Sequence, residues 1–376
     1  MTNPNPKPHR RYRDLGLTVG LLPPGPGNAI TDVESVRVGS VTLIEGDGPL
    51  RVGAGPVRTG VTVVLPHEDI GAFLLFAGCH RLNGNGELTG LEWIRESGQL
   101  TTPVAITNTH SVGVVRDAIV AADMERRPDP TTFWSLPVVG ETYDGTLNDI
   151  NGFHVQPEHL AEALAAAAAG PVPEGNAGGG TGMICHEFKG GTGTASRAVN
   201  GYTVGALVQA NHGRRERLSV DGVPVGRELG TAQIPSPYDD PKDAGGGSII
   251  AILATDAPLL PHQCERLAQR AGLGVARAGG GGEHSSGDLF LAFSTANRGR
   301  IASYKAGGPT EPVRLDMLPD AGITDLFWAA IESTEEAILN ALVAAETMTG
   351  IDGVTAHALD HERLLEVMTR YGRGPA

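Results

Sequence analysis

Residues 243–260 read DAGGGSIIAILATDAPLL, and this stretch decides how the rest of the sequence is interpreted. Three glycines allow backbone conformations that other residues cannot adopt, and Ser248 then places a hydroxyl at the start of an apolar run typical of a buried strand. A serine Oγ in that position can attack the preceding carbonyl carbon, which leaves an ester that water hydrolyses. Taken alone, the segment is more typical of a flexible glycine loop that enters a strand.

Cleavage before Ser248 would create a new chain whose first residue is that serine. Its α-amine has a reference pKa of about 7.7 to 8.0, close to the value that a general base needs at neutral pH. Nucleophile and base would then belong to the same residue.

Composition and charge exclude several classes of protein. The 376 residues include 53 glycines, which follow no fixed period, so neither collagen nor a disordered linker is indicated. The net charge of −14 disfavours nucleic acid and anionic membranes as partners. Neither a signal-peptide core nor an apolar span of ~18 residues is evident, so we expect a cytoplasmic protein. Cys79, Cys185 and Cys264 form no C-x-x-C pair and are expected in the core.

Short apolar runs separated by glycine predict strands, several of them covered on both faces. They are VRVGSVTLI (36–44), VTVVLP (61–66), AFLLFAG (72–78), PVAITNT (103–109), LPVVGET (136–142), YTVGALVQAN (202–211), SIIAILAT (248–255) and DLFLAFS (288–294). This pattern predicts a layered α+β or α/β body with helices outside the sheets.

Four helices are predicted from periodic apolar residues, over 111–124, 157–169, 256–272 and 324–350. In the third, Asp256 is the expected N-cap, Pro258 the first residue and Gly272 the stop signal. Thr324 is the expected cap of the fourth helix, which Gly350 ends. The polar stretch 214–247 is longer than an ordinary connection, which is typical of a functional or disordered loop.

Familiar catalytic motifs are missing from the sequence. No Gly-Lys dipeptide exists, which excludes a P-loop, and the glycine runs at 178–182, 190–193 and 279–282 fail the G-x-G-x-x-G spacing of a dinucleotide site. None of the His-Glu pairs has a second histidine four residues on, as a zincin helix requires, and there is no G-x-S-x-G elbow.

A set of ordered blocks resembles the L-aminopeptidase D-esterase/amidase family, which includes the β-peptidyl aminopeptidases, over residues 10–350. The blocks are NGNGELTG, ESG, NTHSVG, VGETYDGTLNDINGFHV, EGNAGGGTGMICHEFKGGTGTASR, VQANHG, GGGSIIAILATDAPLLPHQ and SSGDLFLAFSTANR. The resemblance implies a self-cleaving precursor with a four-layer αββα sandwich, of the superfamily that includes ornithine acetyltransferases. It also implies a cut between Gly247 and Ser248, giving an α chain 1–247 and a β chain 248–376. After a loose arm at 1–10, residues 11–376 would form one catalytic domain.

The resemblance assigns roles to four residues around the cut. Ser248 would be the nucleophile for self-cleavage and turnover, and the side-chain amide of Asn211 would bind the oxyanion. Ser286 and Asp288 would relay or orient the proton, and residues two apart on a strand share one face. Some relatives carry glutamate in place of Asp288. Other interpretations are a strand-end asparagine at Asn211 and a plain turn at 286–288.

The block GETYDG supplies the remaining candidates. By resemblance, Tyr143 lies at the active site and Glu141 binds the substrate's terminal ammonium, a role that a partly desolvated carboxylate suits. Asp144 is the alternative acid, and Glu141 could instead be a solvated strand-end charge. The glycine runs at 178–182 and 190–193 could approach substrate, although hairpin turns are favoured. No proton-transfer role is assigned to the nearby histidines, which are His110, His212 and His284.

The predicted function is that of a self-processing serine aminopeptidase, amidase or esterase acting on small peptides, amides or esters. No metal or organic cofactor is implied, and by resemblance the αβ units form a homotetramer. The alternatives are an acyltransferase of the ornithine acetyltransferase type and an unprocessed binding protein that does no chemistry. The sequence leaves open the choice among L-α, D-α and β-amino acyl groups. It also leaves open whether the Ser248 amine or the Ser286–Asp288 pair is the main base.

Overall fold

The computed structural model describes residues 10–126, 133–239, 247–302 and 311–375. Nearly all of the predicted arm, residues 1–9, lies outside the described residues, and so do Gly245 and Gly246 of the glycine run. Within the described residues we find no helix with the length and hydropathy of a membrane span.

The described residues form strands and helices in alternation along the chain. The strands are β1 (Arg37–Glu45), β2 (Val57–Leu65), β3 (Leu75–Gly84), β4 (Gln99–Leu100), β5 (Val104–Asn108), β6 (Val138–Thr142), β7 (Ile184–Cys185), β8 (Phe188–Lys189), β9 (Gly191–Val199), β10 (Tyr202–Asn211), β11 (Ser248–Thr255), β12 (Gly287–Ser294), β13 (Met348–Thr349) and β14 (Thr355–Ala356). The helices are α1 (Leu91–Ser97), α2 (Val112–Glu125), α3 (Pro157–Ala165), α4 (Val225–Glu228), α5 (Pro261–Arg277), α6 (Thr324–Val343) and α7 (His361–Arg370).

Two sheets dominate the architecture. One has the strand order β1-β2-β5-β6, and the other has the order β4-β3-β12-β11-β10-β9. In the larger sheet, β11 pairs with β10 antiparallel and with β12 parallel. The start of β11 therefore lies between the end of β10 and the start of β12. Three distant parts of the sequence thus meet at one end of the central strands of this sheet.

Alternation along β11 shows how the layers stack. Ile250 and Ile252 join a core between the two sheets, which includes Val104 and Ile106 of the smaller sheet. Residues on the opposite face of β11 join a second core with α5 and α6. Because successive side chains of a strand point to opposite faces, one apolar strand serves both cores.

The outer face of the smaller sheet is covered by α2 and α3, through a third core that includes Val61, Val63, Val115 and Leu160. The order of layers is therefore α2/α3, small sheet, large sheet, α5/α6. The predicted four-layer αββα sandwich is confirmed.

Buried ion pairs fix α6 against the edge strand β9. Arg197 of β9 is fully buried, and its guanidinium contacts Glu336 at 2.7 Å and Glu332 at 3.1 Å. Removing one member of such a buried group leaves an uncompensated charge, which typically costs about 3–5 kcal/mol. We interpret this group as part of the structural framework of the large sheet.

The predicted start of the third helix is wrong. The α5 helix begins at Pro261, whereas Asp256 accepts a hydrogen bond from the backbone N–H of Thr203 at 2.7 Å. The carboxylate that was expected to cap a helix instead secures the beginning of β10. Pro261 replaces Pro258 as the proline at the helix start, where its missing N–H costs nothing.

The predicted stop of the same helix at Gly272 is also wrong, since α5 continues to Arg277. A Cβ built on Gly274 would lie only 2.6 Å from the carbonyl oxygen of Ile331 and 2.7 Å from Cβ of Thr334 in α6. Glycine is present inside α5 because the two helices pack closely, and local sequence signals do not reveal such a contact.

Two helices end earlier than predicted, because residues just beyond each end form hydrogen bonds with other parts of the chain. The α3 helix stops at Ala165, and Ala168 exchanges hydrogen bonds with Val38 of β1 at 3.0 and 3.1 Å. The α6 helix stops at Val343, and the side chain of Asn176 bonds both backbone groups of Glu346.

The glycine runs are not hairpin turns. Gly178–Gly180 form a single 3-10 turn, and Gly191 and Gly193 lie in β9. A Cβ on Gly193 would lie 2.0 Å from the carbonyl oxygen of Ala337 in α6. This run therefore allows a strand and a helix of the protein itself to approach closely.

Candidate active site

Ser248 and Asn211 are direct partners across two neighbouring strands. Ser248 is the first residue of β11, Asn211 is the last of β10, and the antiparallel register pairs them. Both are buried, and by strand alternation both side chains share the inter-sheet face with Ile250 and Leu207. Directly opposed residues have Cβ atoms about 4.5–5.5 Å apart, so a carbonyl attacked by Ser248 would lie within reach of the Asn211 amide.

The hydroxyl of Ser248 is oriented by the backbone of β12. The N–H of Gly287 donates to Ser248 Oγ at 2.9 Å. A Cβ on Gly287 would lie 2.5 Å from the carbonyl oxygen of Asn85 and 2.8 Å from Cα of Gly86. Glycine at 287 thus lets β12 and the end of β3 meet beside the serine, and no sequence motif identifies its N–H as a donor.

The side chain of Asn211 is held on both sides. Its Oδ1 accepts the backbone N–H of Ile184 at 2.7 Å, and its Nδ2 donates to the carbonyl oxygen of Tyr143 at 2.9 Å. A side-chain amide carries two N–H donors. One fixes the orientation of the group, and the other is available for a negative oxygen formed next to Ser248.

The peptide bond before Ser248 lies in a place that only glycine fits. A Cβ on Gly247 would lie 1.7 Å from the carbonyl oxygen of Asn211 and 3.2 Å from Cα of His212. The glycine lets the chain run tightly along the end of β10, directly before Ser248 and beside Asn211.

Ser286 and Asp288 are brought together as predicted from their two-residue spacing. The Oγ of Ser286 lies 2.7 Å from Oδ2 of Asp288 and 2.8 Å from the carbonyl oxygen of Glu283. Burial raises the pKa of the Asp288 carboxyl to about 6, against the opposing effect of the Ser286 hydrogen bond. A carboxyl that titrates near neutrality can accept and return a proton during catalysis.

Glu141 is a buried carboxylate near the end of β6. Its Oε1 accepts the backbone N–H of Glu87 at 2.9 Å, and Thr109 Oγ1 donates to Oε2. A Cβ on Gly86 would lie 3.0 Å from Oε1 of Glu141 and 3.1 Å from Cα of Gly287. Only this glycine therefore separates the carboxylate from the backbone that holds Ser248. Burial raises the pKa of Glu141.

Tyr143 and Asp144 differ sharply in exposure. Tyr143 is half-exposed, its carbonyl holds Asn211, and its ring lies over Gly145. Asp144 is fully buried and accepts a hydrogen bond from Asn148 at 3.1 Å, and burial raises the pKa of its carboxyl to about 7. Since Asp144 is enclosed in its own polar cluster, Glu141 is the better candidate for contact with a substrate ammonium.

A cavity of about 400 Å³ opens beside Gly86. Its walls combine apolar and basic groups, among them Leu88, Trp93, Leu136, Leu289 and Arg81. Gly86, next to Glu141, is one of its lining residues, and a cavity of this volume could hold a small peptide or amide.

Cys185, His186 and His212 form a buried group that the sequence spacing did not reveal. Their donor atoms all lie within 4.8 Å of one another. Cys185 Sγ lies 3.8 Å from His212 Nδ1, and His186 Nδ1 lies 3.0 Å from the carbonyl oxygen of Arg214. Among the described residues, Nε2 of each histidine has no hydrogen-bond partner. We assign no ion to this group. As expected, all three cysteines are free and buried.

Comparison with known proteins places this geometry in a family. A model of peptidase family S58 matches residues 28–356. The beta-peptidyl aminopeptidase BapA of Sphingosinicella microcystinivorans is 50% identical over 377 residues, which covers 96% of this chain and 93% of that protein. The protein of the same name from Sphingosinicella xenopeptidilytica is 42% identical, and the match covers 95% of this chain and 90% of that protein.

Solved structures agree with this likeness. A beta-aminopeptidase of Burkholderia sp. superposes with a TM-score of 0.89 at 54% identity, covering 96% of this chain and 99% of that chain. The L-aminopeptidase D-Ala-esterase/amidase of Ochrobactrum anthropi gives 0.86 at 46% identity, covering 97% and 99%. The latter is described as a prototype for the serine aminopeptidases and a new variant of the Ntn hydrolase fold.

Proposed function

The chain belongs to peptidase family S58, and from that premise we propose that it is a serine aminopeptidase that activates itself by cleavage between Gly247 and Ser248. Family membership makes it an aminopeptidase-type hydrolase. The identity of the nucleophile, the self-cleavage and the substrate class are our proposals, and they are argued from the contacts around Ser248.

The observation that carries the proposal is the position of the Ser248 hydroxyl. Its oxygen accepts the Gly287 N–H at 2.9 Å, and its register partner is Asn211. When Oγ attacks the Gly247 carbonyl, a negative charge develops on the carbonyl oxygen. The free amide N–H of Asn211 is a donor of the kind that stabilises such an oxyanion, and removing one such donor typically costs about 10²–10³ in rate.

Turnover would use the same groups with the new N-terminus as a base. The freed α-amine of Ser248 takes the hydroxyl proton as Oγ attacks the substrate carbonyl, and the leaving amine is protonated in turn. The Ser286–Asp288 pair lies next to this strand start, and its carboxyl titrates near neutrality. We infer that this pair orients or relays the proton, while water completes hydrolysis of the acyl-enzyme.

We propose that Glu141 binds the substrate's terminal ammonium. The carboxylate is buried and one glycine away from the backbone that holds Ser248, so a bound ammonium would place the first peptide bond of the substrate near Oγ. An acid at this position explains removal of single residues from an N-terminus. Relatives with 50% and 54% identity are named beta-peptidyl aminopeptidase and beta-aminopeptidase, which favours β-amino acyl peptides and amides as the substrate class.

The comparisons do not favour the acyltransferase or the non-catalytic binding protein. Several expectations stay predictions: the division into an arm and one domain of two processed chains, a homotetramer, a cytoplasmic location, and the lack of nucleic-acid and membrane partners. Subunit mass under native conditions would test the tetramer.

Intact mass of purified protein tests the proposal directly. Wild type is expected to give two chains, one that ends at Gly247 and one that begins at Ser248. Ser248→Ala is expected to remain one chain. Ser285→Ala is a matched control, because Ser285 is an exposed neighbour of the site. A wild-type protein that stays whole and still hydrolyses aminoacyl amides would overturn the proposed machinery.

A further inference from the structure

A small, partly open cavity adjoins the proposed cleavage site, and the steps above give it no role. It leaves about 10 Å³ for the centre of a water molecule, which is room for about one water. Gly247, His212, Ser286 and Asp288 are among its lining residues. It therefore contacts the carbonyl-bearing side of the bond that must break.

Two buried polar atoms at this cavity are unpaired. Within the described residues, neither Nε2 of His212 nor Oδ1 of Asp288 has a hydrogen-bond partner. Both residues are buried, with 4% and 2% of their surface exposed. Unpaired buried polar atoms cost free energy, so such a pair around a water-sized space indicates a bound water.

The tautomer of His212 fits this water. With the proton on Nδ1, the ring donates to Cys185 Sγ, 3.8 Å away, and Nε2 is left as an acceptor. Burial holds the pKa of His212 well below its usual range, so the ring is neutral. A water that donates one hydrogen to His212 and the other to the Asp288 carboxylate keeps its lone pairs for a carbonyl carbon.

The glycine run 279–282 shapes the cavity. A Cβ on Gly280 would lie 2.9 Å from Cδ2 and 3.1 Å from Nε2 of His212, so this glycine leaves room for the imidazole. Gly282 has a φ of +61°, and a Cβ there would lie 3.6 Å from Oδ2 of Asp288. No sequence motif explains this run, of which Gly281 and Gly282 line the water site and Gly280 packs against His212.

The cavity and the serine hydroxyl approach Gly247 from different sides. Strand alternation puts Ser248 on the inter-sheet face, whereas Asp288 shares a face of β12 with Phe290, whose side chain joins the core toward α5 and α6. His212 follows the last residue of β10 and lines the cavity together with Asp288. Once the Gly247 acyl group has been transferred to Ser248 Oγ on one side of the strand, its carbonyl carbon would thus face the water on the other side.

We propose that this cavity binds the water that hydrolyses the Gly247–Ser248 ester during self-cleavage, and that His212 and Asp288 orient it. The inference rests on the proposed self-cleavage. The water oxygen forms a bond to the Gly247 carbonyl carbon as one water proton passes to Asp288. The ester bond to Ser248 Oγ then breaks, and that oxygen takes a proton from the adjacent α-ammonium group of Ser248, which the N-to-O shift has freed. The products are the Gly247 carboxyl group and the free Ser248 hydroxyl.

The test separates formation of the ester from its hydrolysis. His212→Ala removes the acceptor and enlarges the cavity, and it is expected to slow processing by about 10²-fold, the usual scale for loss of acid–base assistance. The ester can still form, so neutral hydroxylamine should cleave the stalled precursor and leave a hydroxamate on Gly247, detected by intact mass. Ser248→Ala precursor forms no ester and should resist hydroxylamine. His212→Gln keeps an acceptor oxygen and should retain most of the processing rate.

A second pair of variants leaves His212 in place. Gly280→Ala crowds the imidazole and should slow processing, whereas Gly113→Ala in α2, whose Cβ meets open space outside the cavity, should not. The inference is overturned if His212→Ala and Gly280→Ala process at the wild-type rate, or if hydroxylamine releases no α chain from a folded His212→Ala precursor. Folding of that precursor is checked by thermal melting against Ser248→Ala. Failure of the wild type itself to process would instead overturn the proposed function.

Discussion

Replacing Asp288 by asparagine is expected to stabilise the precursor at neutral pH while it impairs processing. The ionised carboxylate is buried at the start of β12, and Ser286 supplies its hydrogen bond at 2.7 Å. Asparagine keeps an oxygen that accepts this bond and carries no charge. The substitution therefore removes the desolvation cost of the anion but also removes the proposed proton acceptor.

The magnitude follows from the pKa. Burial raises the pKa of Asp288 from 3.8 to about 6, and each pKa unit corresponds to about 1.4 kcal/mol, so ionising the folded protein at this site costs about 3 kcal/mol. The folded state holds this proton more tightly than the unfolded state. The cost is therefore absent below pH 3.8, grows as the pH rises toward 6, and is complete above that value.

The comparison is made in the Ser248→Ala background, so that both proteins are single chains at the same concentration. Denaturant unfolding of Ser248→Ala and of Ser248→Ala/Asp288→Asn is measured at several pH values from 4 to 8. The advantage of asparagine should increase by about 2.4 kcal/mol between pH 4 and pH 8, because about 0.6 kcal/mol of the cost is already present at pH 4. A difference in unfolding free energy that stays constant with pH would refute the assignment of a buried, ionising Asp288.

Two further predictions concern the backbone and the acid. Gly247→Ala should abolish processing, since its Cβ would lie 1.7 Å from the Asn211 carbonyl oxygen, and a denaturing gel should show one chain. Gly113→Ala in α2, with open space around its Cβ, should process normally. A cleaved Gly247→Ala chain would contradict the tight packing. Glu141→Gln should lower kcat/KM for free-amine substrates by about 10- to 100-fold, the worth of a charged hydrogen bond; equal losses on N-acetylated substrates would exclude ammonium binding.

The sequence predicts the central strands well because their signals are local. β10 and β11 were predicted with their observed bounds, since each is an apolar run that begins and ends at polar or glycine residues. The edge strand β9 was missed because GTGTASRAV has little apolar pattern. Its glycines are buried by close contact with α6, and that contact is tertiary.

The sequence predicts the side chains of the candidate site but not the backbone N–H group that contacts Ser248. Ser248, Asn211, Ser286 and Asp288 come from the family resemblance, and the structure brings them to one edge of the large sheet. The N–H of Gly287 could not be recognised, because every residue except proline has such a donor and only the register of β11 and β12 aims this one. The role of His212 depends on an unpaired atom and a cavity, which no spacing of residues encodes.

The cost of burying Asp288 and its proposed role have the same cause. A carboxyl in water would be ionised at neutral pH and would be too weak a base to take a proton from a water molecule efficiently. Burial raises its pKa toward the working pH, which makes it a better proton acceptor and simultaneously destabilises the folded anion. The carboxylate that serves self-cleavage is therefore expected to lower the free energy of unfolding of the precursor at neutral pH. Consider a variant that keeps Asp288 but lowers the pKa of its carboxyl and so regains stability. The further its pKa falls, the more slowly this variant should process.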